Sequence, residues 1–121
     1  MKRRSICAAL LMGSVSALGF QAVAAHEAAR TIEIQAARFS FTPAEITLTK
    51  GETVKLVVSS GDVTHSLVIP DLNVNVSTKK GHPGEVTLTP DKVGDFKGKC
   101  GHFCGVGHGS MTFEIHVKNS E

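Results

Sequence analysis

The sequence lacks several patterns that would assign it to common functional classes. Its 121 residues contain no internal repeat and no low-complexity tract, and no helical period of useful length follows residue 25. No run of basic residues follows that point either, which argues against nucleic acid as a partner. A Ser-His-Asp arrangement, a phosphate-binding loop and a paired-carboxylate motif are all missing, so an enzyme is the weakest interpretation. The length is that of one domain.

The first 25 residues are predicted to be an export signal. Three basic residues follow the first Met, an apolar run then covers 6–20, and small residues offer cleavage after Ala24 or Ala25. The apolar run is shorter than the roughly 20 residues that a membrane span needs, so a cleaved signal is favoured over a retained anchor. We therefore expect 26–121 to form a domain that is periplasmic or otherwise exported, with no transmembrane span after signal removal.

Removal of this segment changes both the charge and the cysteine content. It takes three of the 13 basic side chains and none of the 11 acidic ones, so the formal net charge falls from +2 to 10 − 11 = −1. Cys7 is lost as well, which leaves Cys100 and Cys104 as the only thiols. In an oxidising compartment such a pair forms a disulfide by default, and any other interpretation has to outweigh that one.

Short runs that alternate apolar and polar residues predict strands. These runs cover 31–35, 45–49, 53–58, 64–69, 85–89 and 111–117, with a weaker one at 73–76. Phe39 and Phe41 lie two residues apart, so on a strand they are predicted to face the same side. Many short strands separated by turn residues, in a domain of about 100 residues, predict an all-β antiparallel sandwich.

One short stretch concentrates groups that bind soft metals. It holds two thiols, two imidazoles and a thioether, which belong to Cys100, His102, Cys104, His108 and Met111. Thiolate and thioether sulfurs favour copper, imidazole suits it as well, and the carboxylates that calcium or magnesium would require are absent. Four glycines separate these groups and allow the loop to wrap around one point. The stretch therefore predicts a copper site.

The spacing of the two cysteines is compatible with a metal or with a disulfide. Cys100 and Cys104 are four residues apart, so on one helical turn their Cβ atoms would lie about 5–6 Å apart. His108 and Met111 favour the metal, since a disulfide needs neither of them. His65 precedes the cysteine loop by 35 residues, which is enough chain for the intervening strands to return beside it. An early histidine followed by a Cys-His-Met loop is the cupredoxin pattern.

Two motifs make this likeness specific. The segment 62–66, which reads Asp-Val-Thr-His-Ser, and the C-x3-C-x3-H-x2-M loop resemble the CuA domain of cytochrome c oxidase subunit II. Nitrous oxide reductase carries a similar domain, and the likeness extends from about Phe39 to Val117. It implies a cupredoxin-like antiparallel Greek-key β-sandwich that binds two copper ions. In such a centre Cys100 and Cys104 would bridge the ions, and the remaining ligands would be His65, His108, Met111 and the backbone carbonyl of His102.

The chain departs from the family pattern at two points. Members often have Glu where this chain has His102. The ligand at this position would be the backbone carbonyl, so the change of side chain can be tolerated. The extra imidazole could instead compete for copper or alter proton coupling. Oxidase subunit II also carries a transmembrane hairpin ahead of the domain, in place of which this sequence has only the predicted signal.

Phe103 is predicted either to shield the cluster or to fill the core. By analogy, His108 would be the exit for electrons.

The resemblance implies an exported electron carrier with a CuA-type centre, working between a c-type cytochrome and a respiratory oxidase or reductase. One alternative is copper trafficking or storage for oxidase maturation, with a copper chaperone as partner. Another is a mononuclear blue-copper protein that uses His65, Cys104, His108 and Met111. His82 and His116 are predicted to face solvent. After cleavage behind Ala25, His26 would be the N-terminal residue and could chelate copper through its amine and imidazole.

Overall fold

Nine strands make up two packed sheets in the computed structural model, which describes residues 29–120. The strands are β1 (Arg30–Ala37), β2 (Ser40–Thr42), β3 (Glu45–Thr49), β4 (Val54–Ser60), β5 (His65–Ile69), β6 (Val74–Thr78), β7 (Gly84–Leu88), β8 (Gly94–Cys100) and β9 (Thr112–Lys118). Two 3₁₀ turns, Pro70–Leu72 and His108–Ser110, are the helical elements of the described residues. Within 29–120 no helix is long and apolar enough to cross a membrane. The predicted export signal and His26 lie outside the described residues.

The sheets have the orders β2-β1-β4-β7 and β3-β9-β8-β5-β6. The predicted all-β sandwich is confirmed. Most strand pairs are antiparallel as expected, but β1 pairs with β4, and β3 with β9, in parallel. Alternation has the same period of two in parallel and antiparallel strands, so it gives no information on the direction of pairing.

The inner faces of the two sheets form the core. On β4 the side chains of Val54, Leu56 and Val58 point inward and are fully buried, while those between them are partly exposed. Phe41 of β2 and Phe113 of β9 join the two sheets through an edge-to-face contact, with ring centroids 5.9 Å apart and planes at 71°. Alternation in the sequence therefore corresponds to burial in the sandwich.

Alternation does not predict β2 or β8. A glycine weakens a strand pattern, yet a Cβ on Gly98 of β8 would lie only 2.6 Å from Cγ1 of Ile69, so the close packing against β5 requires its absence. The expectation that Phe39 and Phe41 share a face is wrong. Phe41 is 2% exposed and Phe39 is 36% exposed, because Phe39 lies in the turn before β2, where strand alternation does not apply.

His116 connects three strands on the outer face of the five-stranded sheet. Its Nδ1 lies 2.6 Å from Oδ1 of Asp95 on β8, and its Nε2 lies 3.1 Å from Oε2 of Glu45 on β3. The hydrogen bond with Asp95, followed by that with Glu45, raises the pKa of His116 above its ordinary value. The side chain is 30% exposed, so it faces solvent as predicted while bonded to two carboxylates.

We expect His116→Gln to lower the free energy of unfolding at about pH 5.5 and to leave it nearly unchanged at about pH 9. The folded-state pKa is raised above the ordinary value of 6.5. The stabilisation is therefore complete below that value and is lost as the pH rises through the folded-state pKa. Urea titrations at both pH values measure the free energy of unfolding. His82→Gln, at an exposed histidine between β6 and β7, is the control. Equal losses at both pH values would contradict the prediction.

Candidate metal centre

Three of the predicted ligands project from the ends of neighbouring strands into the space between the sheets. His65 begins β5, Cys100 ends β8 and Met111 directly precedes β9, and these strands are adjacent in one sheet. Cys100 lies opposite Leu67 in the ladder, and its N–H donates to the carbonyl of Met111 at 3.0 Å. Each of the three side chains is at most 1% exposed. The alternation that builds the core thus also brings these ligands together.

The loop 101–110 supplies the other two predicted ligand side chains, those of Cys104 and His108. Its first residue is fixed to β5, because the N–H of Gly101 donates to the carbonyl and to the hydroxyl of Ser66, both at 3.1 Å. A Cβ on Gly101 would lie 2.5 Å from Cγ2 of Val68, so this approach requires glycine. The loop therefore leaves β8 in a defined direction.

Two sulfur atoms form the middle of the site. The Sγ atoms of Cys100 and Cys104 lie 4.0 Å apart, and both residues are free thiols in this structure. A disulfide would bring them to about 2.05 Å. Burial, and then the neighbouring Cys100, raise the pKa of the Cys104 thiol above its ordinary value. A bound cation would reverse this effect by stabilising the thiolate.

Four further donor atoms surround the two sulfurs, two on each side. Next to Cys100 Sγ are Nδ1 of His65 at 3.8 Å and the backbone oxygen of His102 at 3.2 Å. Next to Cys104 Sγ are Nδ1 of His108 and Sδ of Met111, each at 3.8 Å. The structure thus places all the predicted site residues around one point, His102 through its backbone carbonyl.

These separations suit a shared metal. With metal–sulfur bonds of about 2.3 Å and metal–nitrogen bonds of about 2.0 Å at tetrahedral angles, neighbouring ligand atoms lie about 3.5–3.8 Å apart. The atoms of His65, Cys100 and Cys104 lie within 4.8 Å of one another. Thiolate, thioether and imidazole donors together favour copper. The spacing of the donor atoms therefore suits a shared metal ion, and their chemistry suits copper.

Asp62 orients the buried imidazole of His65. Its Oδ1 lies 2.6 Å from Nε2 of His65 and also accepts from the N–H of Val63, while Oδ2 accepts from the N–H of Arg38 at 2.7 Å. Burial alone would raise the pKa of Asp62, but the hydrogen bonds from Arg38, His65 and Val63 hold it well below its usual range. The ionised carboxylate keeps the proton on Nε2 and leaves Nδ1 free to face the sulfur of Cys100.

Two aromatic side chains of the loop lie on the solvent side of the site. The imidazole of His102 is exposed. Phe103 is 73% exposed, which excludes the prediction that it fills the core, and its ring centroid lies 5.8 Å from that of His108. Phe103 therefore covers part of the His108 ring.

Sequence reasoning did not find Arg38, whose Nε donates to the carbonyl of Cys104 at 2.9 Å, because 66 residues separate the two.

Comparison with known sequences identifies a family. Residues 15–118 match the family described as "Cytochrome C oxidase subunit II, periplasmic domain". A probable cytochrome c oxidase subunit 2 of Streptomyces coelicolor is 39% identical over 74 residues, which are 61% of this chain and 23% of that protein. The chain therefore spans about a quarter of the length of this relative.

Comparison with solved structures supports the fold. The periplasmic domain of subunit II of cytochrome oxidase from Bradyrhizobium japonicum matches with a TM-score of 0.70 and 20% identity, over 77% of this chain and 86% of that one. Auracyanin A, a blue copper protein from Chloroflexus aurantiacus, matches with a TM-score of 0.59 and 16% identity, over 73% and 98% of the two chains. At these identities the likeness shows the fold alone, and that fold is cupredoxin-like.

We expect Asp62→Asn to weaken copper binding by about 10- to 100-fold, the usual loss when the hydrogen-bond partner of a metal-binding histidine is altered. The amide keeps the size of the side chain but removes the charge that fixes the proton on Nε2 of His65. Competition with a copper chelator measures the affinity. Asp91→Asn, at an exposed aspartate between β7 and β8, is the matched control. An affinity unchanged by Asp62→Asn would contradict the orienting role.

Proposed function

Because this chain belongs to the family of the periplasmic domain of cytochrome c oxidase subunit II, we propose that it is an exported electron-transfer protein with a binuclear, CuA-type copper centre. It acts as an electron carrier and is not an enzyme on its own. Its partners are a c-type cytochrome on one side and a respiratory oxidase or reductase on the other. The presence of two reduced thiols in an extracytoplasmic compartment is compatible with this role, because bound copper would protect them from oxidation to a disulfide.

The arrangement of the donors around two central sulfurs carries the proposal. Cys100 Sγ and Cys104 Sγ each contact two outer donors and one another. Two four-coordinate ions need 2 × 4 = 8 ligand positions. Two sulfurs shared by both ions would supply 2 × 2 = 4 of them, and the four outer atoms would supply the rest. The mononuclear alternative would use only part of this set and would leave Cys100 Sγ and the backbone oxygen of His102 outside the coordination of the metal.

Copper in such a centre supplies reversible one-electron oxidation and reduction. The chain holds its ligands so that they move little, because His65, Cys100 and Met111 are anchored by strands and lie in a close-packed core. The same burial excludes water from the inner side of the site. A rigid and dry ligand set reduces the rearrangement that accompanies each electron transfer.

His108 is the surface contact of the centre in this proposal. Of the two imidazole donors, that of His65 is fully buried, whereas that of His108 is partly exposed and lies beside Phe103. An electron that enters or leaves through His108 would therefore cross less protein than one that passes through His65. His65 instead holds the inner side of the centre through its hydrogen bond with Asp62.

Copper stoichiometry and electron paramagnetic resonance of the oxidised protein test this function. We expect two copper ions per chain and a mixed-valence multiplet from two equivalent ions. One copper per chain with a four-line spectrum would instead establish the mononuclear blue-copper alternative.

We expect Cys100→Ser to abolish the mixed-valence multiplet and to reduce bound copper from two ions to one or none, because a hydroxyl does not replace a bridging thiolate. The same spectra and a copper assay measure both changes. His102→Ala is the matched control in the same loop, since its donor is the backbone carbonyl and its side chain is exposed. It should retain both ions. A two-copper spectrum that survives Cys100→Ser would overturn the binuclear proposal.

Retention of copper separates electron transfer from copper delivery. We expect the loaded protein to keep both ions through repeated oxidation and reduction in the presence of a metal-free acceptor domain, because all its side-chain ligands except His108 are buried and held in place. Copper in each fraction is measured after the two proteins are separated. Transfer of most of the copper to the acceptor would support trafficking or storage and contradict the carrier role.

A further inference from the structure

The turn between β1 and β2 contacts the ligand loop from the opposite sheet. Two consecutive residues make these contacts, Arg38 and Phe39, which we call the clasp. Nε of Arg38 donates to the backbone carbonyl of Cys104 at 2.9 Å. Among the described residues, this is the one hydrogen bond that reaches the loop 101–110 from the strands and turns of the four-stranded sheet. The clasp therefore joins a cysteine of the site to the other half of the sandwich.

The ring of Phe39 packs directly against two glycines of the loop. A Cβ on Gly107 would lie 2.5 Å from Cδ2 of the ring, and one on Gly105 would lie 2.9 Å from Cε1. Gly105 also has φ +143°, a conformation that residues with a Cβ rarely adopt. These two glycines thus allow the loop to rest on the aromatic ring.

The backbone of the clasp reaches the other side of the site. The N–H of Arg38 donates to Oδ2 of Asp62 at 2.7 Å, and Oδ1 of Asp62 lies 2.6 Å from Nε2 of His65. One residue is therefore bonded to the loop that carries Cys104 and to the carboxylate that orients His65. These are the two halves of the site that the sequence keeps far apart.

We propose that Arg38 and Phe39 are positioning residues that hold the ligand loop closed in the metal-free protein and thereby slow the loss of copper. A loop with four glycines among its ten residues loses much conformational entropy when it becomes ordered. The hydrogen bond and the ring contact oppose this cost before any metal binds. The proposal rests on the proposed function only in taking copper as the ligand.

Hydrogen exchange in the metal-free protein tests the clasp without copper. The reporters are the amides of His108, Ser110 and Met111, which donate to carbonyls within the loop. We expect Arg38→Met, which keeps the aliphatic stem and removes the donor, to accelerate their exchange by about fivefold to tenfold, the size of one net hydrogen bond. Amides of β4 should keep their exchange rates.

Arg30→Met is the matched control. Arg30 lies at the other end of β1, pairs with Glu52 at 3.0 Å and is 52% exposed, so the same substitution there removes a charge far from the loop. It should leave the reporter amides unchanged. Equal acceleration of the reporters and of the β4 amides in Arg38→Met would assign Arg38 a general role in stability and overturn the proposal, as would no acceleration at all.

Copper transfer provides the second readout. We expect the loaded Arg38→Met protein to release copper to a Cu(I) chelator about tenfold faster than the unaltered protein, and Phe39→Leu to act in the same direction. Phe39→Leu also serves if Arg38→Met does not fold. If neither the variants nor the unaltered protein bind copper, the proposed function fails, and hydrogen exchange alone decides whether the clasp holds the loop. Unchanged copper release from both loaded variants would overturn the proposed role of the clasp.

Discussion

The metal centre depends on the register in which β5, β8 and β9 pair. His65, Cys100 and Met111 point inward because each is in step with the core residues of its own strand, such as Leu67 on β5 and Phe113 on β9. A slip of one residue in any of these strands would turn its ligand to the outer face of the sheet. Core packing fixes the register, so the apolar interior also determines where these three predicted ligands lie.

The sequence was sufficient to predict most of the sandwich and the side chains that the fold brings together at the candidate site, because the strands and the cysteine loop have recognisable local patterns. Residue types and spacing identify the Cys-His-Met loop, and alternation identifies strands such as β4 and β9. The direction of pairing was not predictable, since a period of two is common to parallel and antiparallel strands. The role of Arg38 was equally out of reach, because its bond to Cys104 joins residues 66 apart and leaves no local pattern.

The two sides of the site differ in solvent access, and the difference follows from where each ligand originates. The strand-borne ligands are sealed by the core, whereas the loop leaves His108 partly exposed and Phe103 at 73% exposure. Cys104, at 5% exposure, lies between these two environments. Ligands on strands supply rigidity, and ligands on the loop supply a route to the surface. The proposed electron-transfer function requires both properties.

The aromatic pair between the sheets, Phe41 and Phe113, is close in sequence to the clasp and to Met111. Phe41 follows the clasp by two residues, and Phe113 follows Met111 by two, so their edge-to-face contact spans the sandwich beside the loop. The spacing of the sheets at this point depends on two buried side chains that are not predicted ligands. A change in the volume of either ring is therefore expected to alter the spacing of the sheets beside the loop, so packing in the interior can influence the site without a change in any predicted ligand.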